Sequence, residues 1–181
     1  MASVLRFDNW QNSDGTSIAT TDASGNISFA GAGAGKILQV VSTTKVDQFT
    51  TTASVFTDVT GLSATITPTS ATSTILVMAA VSLSADAGTS GYLNLVRDST
   101  DISQSTGAGT QNMTKLIVTA ASFDVYHPTV VFEDSPATTS ATTYKIQVKP
   151  PSGTSVVAVN RRADNTGFGS TSSITVMEVS A

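Results

Sequence analysis

The sequence predicts an all-β protein built as a sandwich or barrel. Apolar residues fall in short runs that alternate with Thr and Ser, and Gly, Pro and Ser break those runs at close intervals, the pattern of many short strands. No long stretch repeats its apolar residues at the helical period, which argues against an amphipathic helix. Composition agrees. Hydrophobic residues make up 40% of the 181-residue chain, enough for a core, while charged residues make up only 12%, about half the share usual in a soluble domain. Thr, Ser, Asn and Gly supply the polarity, and β-branched Thr suits the half-exposed face of a strand.

The length suits one main domain with a short appendage, and the chain divides at its Gly-rich boundary. Residues 1–35 form a thin segment rich in Gly, Ser, Asp and Asn that closes in Gly31-Ala32-Gly33-Ala34-Gly35, a linker with little side chain to bury. Short strand-like pieces at 4–7, 17–20 and 26–29 lie between turn signals at Ser13-Asp14-Gly15 and Ala23-Ser24-Gly25-Asn26. The apolar side chains here are Val4, Leu5, Phe7, Trp10, Ile18, Ile27 and Phe29. Their burial falls short of an ordering cost of about 1–2 kcal/mol per residue. The segment therefore reads as an extended N-terminal attachment arm that gains order on a partner surface, with Phe7, Trp10 and Phe29 as its anchors.

Residues 36–181 read as the head domain. Strands are expected at 36–42, 54–59, 62–67, 73–84, 91–97, 115–124, 128–133, 142–149, 154–160 and 172–179. In 142–149, Tyr144, Ile146 and Val148 alternate with Thr143, Lys145, Gln147 and Lys149, so one face is buried. By contrast 75–81 and 174–179 carry apolar residues on both faces. A strand of that kind needs a cover on its outside, either a neighbouring subunit or the folded-back arm. Ile75, Val77, Val176 and Met177 are the candidate subunit contacts.

Charge and cysteine content narrow the function. Net charge is −4 with nine basic residues, and the only adjacent basic pair is Arg161-Arg162, so no basic stripe exists for nucleic acid. A weakly charged surface of hydroxyls and amides suits glycans or further copies of the chain. There are no cysteines to form a disulfide framework or a thiolate metal site. The opening Met1-Ala2-Ser3-Val4-Leu5-Arg6 lacks the pattern of a secretory leader, and no apolar run approaches the ~20 residues that span a bilayer. Synthesis in a cytoplasm without membrane insertion is the expectation.

Catalytic chemistry is poorly provided for, and the expectation is a protein that is not an enzyme. A glycosidase needs two carboxyl groups at a set separation, whereas carboxylates such as Asp98 and Asp101 fall in turns, where Asp caps its own backbone. His127, the single histidine, sits in Val125-Tyr126-His127-Pro128 with no second histidine or cysteine to complete a constellation. Glu133-Asp134 has hard oxygens for Ca²⁺ but no EF-hand spacing, so no metal or cofactor is expected. Gly31 to Gly35 lacks the Gly-Lys-Ser/Thr ending of a phosphate loop. Asn160, Arg161, Arg162, Asn165 and Phe168 lie with Asp164 in a polar loop before the last strand and form the candidate receptor site, through amides, guanidinium groups and an aromatic ring.

Several segments together resemble a family of tail-fibre and virion-surface proteins of marine bacteriophages, cyanophages among them. They are Leu5-Arg6-Phe7-Asp8-Asn9-Trp10-Gln11-Asn12, Gly35-Lys36-Ile37-Leu38-Gln39-Val40-Val41, Phe56-Thr57-Asp58-Val59-Thr60-Gly61-Leu62, Thr65-Ile66-Thr67-Pro68 and Ser73-Thr74-Ile75-Leu76-Val77. Leu95-Val96-Arg97-Asp98, Asp134-Ser135-Pro136-Ala137-Thr138-Thr139 with Tyr144, and Ser173-Ile174-Thr175-Val176-Met177-Glu178-Val179 complete the set. The resemblance implies a jelly-roll-like antiparallel β-sandwich head, similar to the trimeric C1q and tumour-necrosis-factor domains, on an N-terminal attachment segment. Together with the arm and the exposed loops, it leads to the expectation of a homotrimer in the virion, docked on a capsid or tail protein through residues 1–35 and attaching to a host-surface glycan. Tail fibres generally place a longer shaft before the head, so head fibre and capsid decoration (cement) protein stand beside tail fibre. A small polysaccharide depolymerase is the enzymatic rival.

Overall fold

The computed structural model describes residues 9–22, 24–25, 27–29, 35–107 and 112–181. All the regular structure among them is strand. In chain order the strands are β1 (Asn9–Gln11), β2 (Ser17–Thr21), β3 (Ile27–Phe29), β4 (Ile37–Lys45) and β5 (Phe49–Thr51). Then come β6 (Thr57–Ile66), β7 (Thr74–Ala80), β8 (Leu83–Ala85), β9 (Ser90–Arg97) and β10 (Thr100–Ile102). Last are β11 (Lys115–Val118), β12 (Thr129–Asp134), β13 (Thr142–Lys149), β14 (Val157–Val159) and β15 (Ser172–Val179).

Two antiparallel sheets form a sandwich around one core. The first has the order β12-β7-β15-β4; the second has the order β10-β9-β13-β6, with β11 also pairing β9. Val77, Ala79, Ile174 and Val176 of the first sheet pack in one cluster with Leu62, Leu93, Leu95, Tyr144, Ile146 and Val148 of the second. A smaller sheet, β5-β14-β8, closes one end. Full burial of a Leu or Val is worth about 1.5–3 kcal/mol, so this cluster dominates the stability of the head.

Alternation located β13 and β15 at their observed bounds, and the departures elsewhere have local causes. The expected strands 54–59 and 62–67 are one strand, β6. Its pairing with β13 jumps from Lys145↔Ser63 to Gln147↔Asp58, and Gly61 sits inside that bulge with φ 80°, a conformation that glycine adopts without strain. The expected strand 73–84 is two, because the chain leaves the first sheet at Val81-Ser82 and enters the small end sheet as β8. Of 115–124 only β11 is strand, and of 154–160 only β14.

The N-terminal segment departs from an extended arm. Its described residues form a three-stranded meander, β1-β2-β3, that shares no strand pairing with the sandwich. The strand-like piece 4–7 and the stretch Gly31–Ala34 lie outside the described residues.

The subunit contacts expected from the two-faced strands need correction. Ile75, Val77 and Val176 are 0% exposed, because they point between the two sheets and belong to the core of the single chain. Only Met177, of the four residues named, lies on the opposite face, beside Leu76 and Val40 in the strand register.

Candidate functional site

The two ends of the sandwich differ. At the first, Gly35 N donates to Ser180 O and Ser180 N to Lys36 O, so the N-terminal segment enters beside the end of the last strand. In the register of the first sheet, Gln39, Glu178, Ile75 and Asp134 share the row above that entry. Glu178 is fully buried. Thr69 N (2.8 Å) and Thr69 Oγ1 (2.7 Å) donate to its Oε1, and Gln39 Nε2 (2.6 Å) donates to its Oε2. Desolvation pushes its pKa up, but the hydrogen bonds from Gln39 and Thr69 outweigh it and hold the carboxyl at about 2. Asp134 accepts from Arg97 Nη1 on both oxygens at 2.8 Å and from Tyr144 Oη at 2.6 Å. Burial, then the Asp134 hydrogen bond and charge, push the Tyr144 hydroxyl well above its ordinary pKa. This end is locked by buried charge.

The opposite end lies one strand length away. Strand β4 covers roughly 26 Å at ~3.3 Å per residue between Ile37 and Lys45, where Lys45 pairs Ser172, the first residue of β15. Here loop 160–171 meets loop 119–128, and Asn160 holds the junction. Its Nδ2 donates to the carbonyls of Lys45 (2.9 Å) and Asp47 (3.0 Å), and Ser172 Oγ donates to its Oδ1 (2.6 Å). Its backbone N donates to Ser82 O (3.0 Å), while its own carbonyl accepts from Ser170 N (3.1 Å). Its φ of 61° is left-handed, a conformation asparagine tolerates better than most residues. Asn160, named from sequence as a receptor contact, is therefore a fully buried structural pin.

Beyond this pin, the loop exposes its chemistry. Ser122 O accepts from Ala163 N (3.1 Å) and Asp164 N (3.4 Å), which brings Phe123 beside Arg162. The Arg162 guanidinium carbon lies 4.7 Å from the centroid of Phe168 and 5.4 Å from that of Phe123, within cation–π range of both. Arg162 Nη2 also donates to Asp164 Oδ2 (2.8 Å). The rings remain 60% (Phe123) and 54% (Phe168) exposed, although a ring serving only to pack a loop would be covered. Arg161 is turned into the loop, its Nε donating to Arg162 O and its Nη2 to Ala163 O. Asn165 Oδ1 accepts from Gly167 N (2.6 Å) and shapes a tight turn. Of the five residues named from sequence, Arg162 and Phe168 thus meet at one exposed cluster, while Asn160, Arg161 and Asn165 build the loop. Sequence reasoning missed Phe123. The signal for Phe123 was Asp124, two residues after Ala121-Ser122, since its Oδ2 accepts from Ala120 N and Ala121 N and marks a turn rather than a strand.

The remaining candidates also have places. Trp10 is exposed on β1, and the meander register aligns the positions Trp10, Ala19 and Phe29 in one row; Phe7 is outside the described residues. On the outer face of the first sheet, Val40, Met78 and Val131 are exposed. A shallow groove of about 260 Å³ there is lined by Met78, Ala80, Thr129, Ser173, Thr175 and Met177. Other carboxylates of the head are engaged too: Asp58 pairs with Lys145 and Gln147, Asp86 accepts from Val156 N, and the turn residues Asp98 and Asp101 accept from Thr143 N and Asn94 Nδ2. Asp134, weighed with Glu133 for Ca²⁺, is committed to Arg97 and Tyr144. His127 is exposed in the loop before β12. No protein-family model matches the chain, and no curated protein matches it significantly.

Proposed function

We propose that this chain is a structural protein of a bacteriophage virion, a fibre or surface appendage anchored through its N-terminal segment and bearing a host-surface attachment tip. The observation that carries the reading is the polarity of the head. The N-terminal segment joins at the end locked by Glu178, and the cluster of half-buried Arg162 with exposed Phe123 and Phe168 occupies the other. A particle protein that must dock at one end and touch a cell at the other has this layout. The strand orders β4-β15-β7-β12 and β6-β13-β9-β10 fit the jelly-roll connectivity that the phage resemblance implies.

Three copies associate through the outer face of the first sheet in this reading. Val40, Leu76, Met78, Val131 and Met177 make that face apolar, and it has no cover within the described chain. Exposed apolar area of this extent on a domain so poor in charge is a typical interface core. Light scattering on the purified protein checks it: a trimer is expected for the wild type, and Met177→Asp should shift the mass toward the monomer. A wild-type monomer at micromolar concentration would remove the trimer from the proposal.

A further inference from the structure

The exposed cluster offers an unusually complete set of unspent groups. Among the described residues, Arg162 Nη1 and Asp164 Oδ1 have no hydrogen-bond partner, while Arg162 Nη2 and Asp164 Oδ2 hold the two side chains together at 2.8 Å. The Arg162 side chain is 24% exposed and that of Asp164 37%, so the pair reaches the surface with hydrogen-bonding capacity to spare, next to two exposed phenyl rings. The local charges balance. Arg161 and Arg162 stand against Asp124 and Asp164, and the nearby Lys45 is paired with Asp47 (2.7 Å), so neither an anion nor a cation is favoured.

We infer that the tip binds an uncharged pyranose, with the Arg162–Asp164 pair reading two vicinal hydroxyls and Phe168 and Phe123 receiving the apolar face of the ring. The inference rests on the attachment reading above and deepens it by naming the ligand class. A sugar hydroxyl both donates and accepts, so adjacent hydroxyls match a guanidinium N–H beside a carboxylate oxygen. The C–H face of a pyranose is apolar and flat enough to cover an exposed phenyl ring. Arg162 itself is held in place by both rings and by Asp164, so little ordering is required when the ligand arrives. A charged sugar would meet either Asp164 or Arg162 as a like charge.

The test is saturation-transfer NMR on the full-length protein with the methyl glycosides of glucose, galactose and mannose, and with methyl glucuronide as the charged comparison. At least one neutral glycoside should receive transfer, strongest at its ring C–H protons, and should outcompete the glucuronide. Asp164→Ala and Phe168→Ala should each weaken that binding about tenfold or more, with melting temperatures near that of the wild type. Silence from every neutral glycoside, a preference for the glucuronide, or binding that survives both substitutions would overturn the inference. Light scattering and particle occupancy decide the virion reading separately. A trimer that occupies particles yet ignores neutral glycosides leaves that reading standing.

Discussion

The two ends of the sandwich solve the same problem with different chemistry. At the end where the N-terminal segment enters, ionised groups are buried and saturated: Glu178 by three donors, and Asp134 by Arg97 and Tyr144. At the tip the buried pin is neutral, an amide and hydroxyls around Asn160, and the buried ammonium there, Lys45, is paired outward to the exposed Asp47. Phe123, Phe168 and Asp164 stand at the surface around a half-buried Arg162. Buried charge that is fully paired is costly to disturb and leaves nothing for a ligand. A neutral pin beneath the half-exposed Arg162–Asp164 pair leaves the surface groups free to engage one. In the proposed reading, the difference separates the anchored end from the attachment end.

Substitutions should separate the ends by size of effect. The largest loss is expected from Arg97→Met, which leaves Asp134 buried with a single neutral donor and should cost about 3–5 kcal/mol, read from the denaturant midpoint. Asn160→Ala comes next. It abandons the carbonyls of Lys45 and Asp47 and puts a side chain without polar groups at a left-handed φ, for a loss of about 2–3 kcal/mol. Unlike Arg97→Met, it should also broaden the NMR signals of loop 160–171. A loss confined to stability, with the loop signals unchanged, would show that Asn160 does not organise the tip.

Acid should act most strongly on the first end, although at the tip the Lys45 ammonium also holds the exposed Asp47 carboxyl below its usual range. The folded pKa of Glu178, about 2, lies below the ordinary 4.5, so its contribution is complete above about pH 4.5 and is lost as pH falls toward 2. Glu178→Gln sets an NH₂ against the donors of Thr69 or Gln39 and should cost about 1–3 kcal/mol at neutral pH. It should also flatten the stability profile between pH 4.5 and 2, and an unchanged slope there would assign the acid response to other carboxylates. The smallest effect belongs to the tip surface. Phe168→Ala removes an exposed cation–π contact worth about 0.5–1 kcal/mol, so the head should melt within a few degrees of the wild type.

The first sheet's strands show where sequence reasoning succeeds and where it stops. Period two located β15 and β13, and the apolar character of both faces of β7 and β15 matches a sheet whose outer face exposes Val40, Met78 and Val131. Alternation says that Val77 and Met78 point opposite ways, but it does not say which of them points inward. That choice is made by the second sheet, whose Leu93, Leu95 and Ile146 lie far along the chain. Asn160 was hidden for the same reason, since its partners Lys45 and Asp47 sit more than a hundred residues away. Arg162 and Phe168 were legible because they share one loop, whereas Phe123 joins them only through the backbone contact of Ser122 with Ala163.

The most direct measurement is cryo-electron microscopy of intact particles carrying this protein, at a resolution that orients the head. The account predicts that residues 1–35 and the Gly35–Ser180 end face the particle, with loop 160–171 projecting into solvent from a three-fold cluster. Density that places Arg162, Phe123 and Phe168 against the shell, with the N-terminal segment outermost, would contradict it.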